Sequence, residues 1–203
     1  MKGINRAERL EALLAFDRGY EGSLAGMDEV GRGPLAGDVV TACVMLPPDS
    51  RILWVDDSKK LSEKHREQVY EEILREALYV GIGRCSPAEI DRVNILEATK
   101  QAMRMAAEAV PAEVFLIDAV KGLGLKGREV PLIRGDACSY RIAAASIVAK
   151  VTRDREMRML DEKYPEYGFA RNKGYGTAEH IAALRRYGPC PIHRQSFLKK
   201  LDL

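Results

Sequence analysis

Residues 24–46 read L-A-G-M-D-E-V-G-R-G-P-L-A-G-D-V-V-T-A-C-V-M-L. Residues 24–28 are a short apolar run closing on an acid, and residues 39–46 a continuous apolar run that stops at Pro47-Pro48. Each reads as a strand, and their closeness gives a hairpin-like opening. Working outward, Ser62 is placed to cap a helix running to Ala77, with Val69, Ile73 and Ala77 on one face, and residues 78–85 read as a third strand. Ser86-Pro87-Ala88-Glu89 is a capping box with proline at the first helical position. Asn94 opens the next helix, with Ala98, Ala102, Met105 and Ala109 as its apolar stripe and Pro111 as its stop. Residues 114–117 and 130–133 are further strands, separated by a loop with Gly122, Gly124 and Gly127. A long helix over 138–160 follows, with Ala143-Ala144-Ala145-Ser146 at its centre, small enough to pack closely on a sheet. Strand, strand, helix, strand, helix, strand, strand, helix predicts an α/β fold with a mixed sheet covered by helices.

At 203 residues and 46% hydrophobic composition, the chain can bury one good core, so a single domain over 1–203 is expected. Within it, 1–23 is a charged amphipathic leader and about 161–203 a C-terminal helical extension. The start of the chain has no uninterrupted apolar segment of the kind a signal peptide or membrane span needs, so a cytosolic location is expected. Cys43, Cys85, Cys138 and Cys190 form no C-x-x-C pair and read as buried small residues; His65, His180 and His193 are equally scattered. That spacing argues against a disulfide framework or a zinc site, so any metal would be held by carboxylates. The net charge is only +2, but residues 137–203 hold 13 basic against 7 acidic residues, and residues 1–136 hold 19 against 23. The asymmetry suits a polyanion and equally suits a solvated basic surface.

Three strand ends terminate in acids: Asp28 with Glu29 before Gly31-Arg32-Gly33-Pro34, Asp118 after 114–117, and Asp136 after Arg134-Gly135. A lone Asp-Glu pair is usually a solvated turn, and Asp136 alone reads equally as a helix cap. Three acidic strand ends together point to convergence. Gathered carboxylates repel one another, and their usual justification is an oxygen-preferring divalent cation, Mg²⁺ or Mn²⁺.

On these residues the chain resembles bacterial ribonuclease HII. The matching segments are G-M-D-E-V-G-R-G-P-L-A-G, D-S-K-K-L-S, V-N-I-L-E-A-T-K, F-L-I-D, G-D-A-C-S-Y-R-I-A-A-A-S-I-V-A-K-V-T-R-D-R, Y-P-E-Y-G-F-A-R-N-K-G-Y-G-T-A-E-H and P-I-H-R-Q-S-F, in that family's order from Ala25 to Phe197. D-E-V-G-R-G is the most selective, because the related ribonuclease HIII carries a different glycine element. The resemblance implies a ribonuclease H-like fold and four acids, Asp28, Glu29, Asp118 and Asp136, around two metal ions that drive hydrolysis without a protein nucleophile.

It further implies that the backbone of Gly31, Arg32 and Gly33, otherwise a tight turn, meets the ribose at the cut. Tyr175, otherwise ordinary loop packing, would pack on the following deoxyribose and bind the same 2′-hydroxyl. Lys59 and Asn94, which read equally as a solvated lysine and an N-cap, would contact phosphates. Arg153, Asp154 and Arg155 read as a salt-bridged helix face. The implied partners are RNA·DNA hybrids and DNA duplexes containing ribonucleotides, cut on the 5′ side of a ribonucleotide by a monomer, for ribonucleotide removal and primer clearance. Two rivals are a ribonuclease H-like DNA nuclease of the junction-resolvase type, which an all-DNA substrate would reveal, and a non-catalytic hybrid-binding module, which gains nothing from packed acids.

Overall fold

The computed structural model describes residues 5–56, 61–199 and 201. The two runs that open the fold do pair: β1 (Leu24–Val30) and β2 (Val39–Met45) are antiparallel neighbours, with Asp28 opposite Ala42. β3 (Tyr79–Cys85) continues antiparallel on β2, while β4 (Val114–Asp118) and β5 (Arg128–Leu132) add in parallel on the other side of β1. The sheet order is β3-β2-β1-β4-β5, the mixed sheet that the element order predicts.

Helices α1 (Arg6–Asp17), α2 (Glu63–Glu76), α3 (Pro87–Val93), α4 (Ile95–Ala107) and α5 (Tyr140–Lys163) flank it, and α6 (Phe169–Asn172), α7 (Ala178–Tyr187) and α8 (Gln195–Leu198) follow. The polar side chains of Ser62, Ser86 and Asn94 cap α2, α3 and α4 as their positions predict. On one face of the sheet, Ala42 and Val44 meet Tyr140, Ala144 and Ile147 of α5; on the other, Met27 and Cys43 meet Met103 and Ala106 of α4. Backbone reaches backbone at the glycines. A Cβ at Gly26 would sit 2.0 Å from the Arg141 carbonyl carbon of α5, and one at Gly83 would sit 1.8 Å from the Ala102 carbonyl oxygen of α4. Those contacts set the buried stripe of α4 as Ala98, Thr99, Ala102, Met103, Ala106 and Ala107. Met105, expected in that stripe, faces out instead, and Ala109 lies exposed in the turn after the helix ends.

The leader is part of the core. Leu10, Leu13 and Leu14 of α1 pack into the α5 cluster, and the buried Asp17 carboxylate accepts from the Arg141 main chain and guanidinium, both at 3.1 Å. Among the described residues, no helix is long and apolar enough to cross a membrane.

His180 and His193, which read as scattered in the sequence, touch in the fold. Their Nε2 atoms lie 3.0 Å apart, His180 Nδ1 lies 2.9 Å from the Tyr175 carbonyl, and Cys190 N–H donates to His193 Nδ1 at 2.9 Å. One pair of neutral tautomers satisfies these three contacts: His180 donates to Tyr175 through Nδ1 and accepts from His193 through Nε2. Protonation of His180 would set its Nε2–H against that of His193. Burial pushes His193 from its ordinary 6.5 down to about 4. A depressed histidine leaves the unfolded chain binding more protons, so its penalty appears as pH falls below 6.5 and grows until about 4. Between about pH 7.5 and about pH 5, the stability gap between the parent and His193→Gln should shrink by about 2 kcal/mol in urea melts. A gap constant across that window would show that His193 titrates normally.

Candidate active site

The parallel pairing of β1 with β4 builds the site. Their register aligns Met27 with Ile117, so the next residues, Asp28 and Asp118, lie side by side where the pairing of the two strands stops. Asp118 ends β4, whereas Asp28 and Glu29 lie within β1, which runs on to Val30 against β2 and does not end at the acids as the sequence suggests. β5 ends at Leu132, and the chain turns through a 3-10 turn at Gly135–Ala137 that carries Asp136. The Gly135 N–H donates to Asp118 Oδ1 at 2.7 Å, tying this turn to the end of β4. Asp28, Glu29, Asp118 and Asp136 thereby line one cavity of about 360 Å³, with Ser146 and Lys150 of α5 and Tyr175 in its wall. Asp136 does not cap the long helix: Ser139 does, by accepting from Ile142 N–H.

The acids crowd one another at a cost. Burial, then the Glu29 charge, and also the Asp118 charge hold the Asp28 carboxyl well above the usual carboxylate range. Glu29 is likewise raised, chiefly by burial, with the Arg32 guanidinium at 3.4 Å in partial compensation. Glu29 Oε2 is buried and has no hydrogen-bond partner among the described residues. Lys150 does not neutralise the group, since its ammonium is paired with Asp154 at 2.6 Å.

As the side chains stand, no three histidines, cysteines or acids among the described residues grip a single point. Asp28 Oδ1 accepts its neighbour's N–H at 2.8 Å and Asp118 Oδ1 that of Gly135, so part of the donor set is turned to the backbone. The orphaned Glu29 oxygen, the raised carboxyls and an all-oxygen donor set nonetheless fit a hard divalent cation, which would relieve the repulsion.

The glycine turn and the tyrosine meet beside this cavity. Gly31 has φ +94°, and a Cβ there would lie 2.4 Å from Arg153 Nε, so glycine is required both by conformation and by space. A Cβ at Gly33 would lie 3.6 Å from Tyr175 Cε1, an ordinary contact. The Tyr175 ring is about half exposed, while its main chain is fixed by Asn172, Thr177 and His180. Asn94 is outside the cavity lining; at φ 71° its Oδ1 accepts from Leu96 and Glu97 N–H at the start of α4. Lys59 lies outside the described residues.

Of the predicted salt-bridged face, Asp154 and Arg155 do pair, with Lys150 and with Glu67 and Glu71. Arg153 does not: it is buried and, among the described residues, donates to the carbonyls of Ala36, Asp38 and Lys173. Sequence reading also passed over Arg194, buried under the glycine turn, and Ser146, which hydrogen-bonds Asp28. The spacing of Ser146 four residues after Ile142, in the stretch that meets Gly26, is the signal that could have found it; a buried arginine bound to loop carbonyls leaves none.

Known proteins agree with this architecture. The family model described as Ribonuclease HII matches residues 25–200. A ribonuclease HII of Lachnoclostridium phytofermentans is 53% identical over 97% of this chain and 82% of its own length, and one of Syntrophobacter fumaroxidans is 57% identical over 90% and 79%. The crystal structure of ribonuclease H2 from Pyrococcus horikoshii superposes with a TM-score of 0.76 at 26% identity, covering 88% of this chain and 96% of that one. The chain belongs to the ribonuclease HII family, and its activity is that of a ribonuclease H.

Proposed function

We propose that Asp28, Glu29, Asp118 and Asp136 hold two divalent ions, Mg²⁺ or Mn²⁺, and that the enzyme cuts the RNA strand of RNA·DNA hybrids and the 5′ side of single ribonucleotides in duplex DNA. The observation that carries the reading is the convergence of all four acids on one cavity with Tyr175 in its wall. Divalent ions bound there would supply Lewis acidity and an activated water for in-line displacement at phosphorus, leaving 5′-phosphate and 3′-hydroxyl ends.

The chain's own residues do the rest. Burial and crowding disfavour the bare Asp28 and Glu29 carboxylates, so a bound cation would restore their charged form. Gly31, Arg32 and Gly33 present backbone to the ribose, where only RNA offers a 2′-hydroxyl. Tyr175 packs on the next sugar, so the extension over 161–203 completes the substrate site. Lys59 and Asn94 contact phosphates farther along the duplex. The enzyme acts as a cytosolic monomer on nucleic acid.

Cleavage of a long RNA·DNA hybrid and of an all-DNA duplex, with and without chelator, tests the reading. Hybrid cutting that chelator abolishes is expected, with the all-DNA strand intact; equal cutting of both duplexes would instead mark a DNA nuclease. Binding should also weaken with salt, because the basic C-terminal third displaces counterions: log affinity falls by about 0.9 per phosphate neutralised per log unit of salt on B-form DNA. A salt-independent affinity would make the charge asymmetry incidental.

A further inference from the structure

Two guanidiniums lie beneath the surface that reads the ribose, and neither has a carboxylate within ion-pair distance among the described residues. Arg194 is 0% exposed and gives five hydrogen bonds to main-chain carbonyls: Gly31 at 2.6 Å, Arg32 at 3.1 Å, Pro34 at 2.8 Å, and Gly37 twice, at 2.7 and 3.0 Å. Arg153, 1% exposed, gives three, to Ala36 at 3.0 Å, Asp38 at 2.9 Å and Lys173 at 2.9 Å. The second set joins two separate segments, the loop that follows the glycine turn and the residues just before Tyr175. A main-chain bond from Leu35 N–H to the Gly174 carbonyl at 2.8 Å runs parallel to it.

We infer that Arg194 and Arg153 are positioning residues for ribonucleotide recognition, fixing the amides of Arg32 and Gly33 against the Tyr175 ring without touching substrate. This rests on the reading above in which those groups contact the ribose. In a trans peptide the N–H lies opposite the preceding carbonyl. Because the carbonyls of Gly31 and Arg32 turn inward to Arg194, the N–H groups of Arg32 and Gly33 turn outward, at residues that are both exposed. Arg153 then sets how far that edge lies from Tyr175.

Stability alone is a poor reason for this arrangement. A buried charge without a counter-ion is expensive, and apolar side chains of similar volume often stabilise as well or better. The planar fork, which reaches several carbonyls at fixed angles, is what lysine cannot reproduce.

The test compares Arg194→Lys and Arg153→Lys with the parent by single-turnover cleavage and KM on two substrates: a DNA duplex with one ribonucleotide and a long RNA·DNA hybrid. Thermal melts and circular dichroism report folding. A misplacement of 1 Å can cost on the order of 100-fold, so each variant should lose at least about 10-fold more rate on the single ribonucleotide than on the hybrid, where every register offers a ribose. The loss should fall on the cleavage rate, with KM within about twofold, as expected when positioning and not ground-state binding is impaired.

Folded variants that keep the parental ratio between the substrates would overturn the inference. So would a failure of both variants to fold, which would make the arginines elements of stability only; if Arg194→Lys alone misfolds, Arg153→Lys decides, since it leaves the five Arg194 bonds in place. A parent enzyme that ignores the single ribonucleotide would refute the underlying reading instead, which separates the two failures.

Discussion

Asp28→Asn and Asp118→Asn should each fold normally and lose more than about 100-fold in cleavage rate, beyond the 10–100-fold that outer-shell partners of a metal typically cost. Each change keeps the shape of the side chain and removes one negative charge. At Asp28 that charge is already disfavoured in the fold by burial and by the charges of Glu29 and Asp118. In chelator, Asp28→Asn should therefore melt no lower than the parent, because a repulsion has been removed. Added Mg²⁺ or Mn²⁺ should raise the melting temperature of the parent by binding the native state, and raise that of the variant much less. Parental turnover by both variants in saturating metal would remove these residues from the metal site.

Tyr175→Ala should slow cleavage at a single embedded ribonucleotide by roughly 10-fold, since stacking of an aromatic ring on a base is worth about 1–3 kcal/mol and packing on a sugar lies toward the low end of that range. The structure gives the loss a clear cause. The ring stands beside both the acid cavity and Gly33, yet no hydrogen bond of its hydroxyl to described residues holds it, so it is available to a sugar. Tyr175→Phe keeps the ring and forfeits one hydrogen bond, net about 0.5–1.5 kcal/mol, so its defect should be several-fold at most. Unchanged rates and product ends with Tyr175→Ala would return the side chain to loop packing.

The local signals in the sequence translated well where the cause is local. Ser62, Ser86 and Asn94 cap helices because a side-chain oxygen two or three residues from a free N–H needs nothing else. The acids of β1 and β4 are visible as residues, but their adjacency is not. It arises from the parallel register of Met27 on Ile117, a pairing across 90 residues that no periodicity encodes. The stripe of α4 departs from expectation at Met105 because its face is fixed by the close approach to Gly81 and Gly83, which lie on another element, and at Ala109 because the helix ends at Ala107. The same holds for Arg153 and Arg194, most of whose partners come from a loop distant in sequence. The leader's role depends on the Asp17–Arg141 contact, equally remote.

The most direct test of the central claim is cleavage of one DNA duplex carrying one ribonucleotide, in Mg²⁺ or Mn²⁺, with both product ends mapped. A cut on the 5′ side of the ribonucleotide, leaving 3′-hydroxyl and 5′-phosphate and abolished by chelator, is the expected result. Chelator-resistant cleavage on the 3′ side leaving a 2′,3′-cyclic phosphate would contradict the account, because the 2′-hydroxyl would then be the nucleophile and the four acids would hold no catalytic metal.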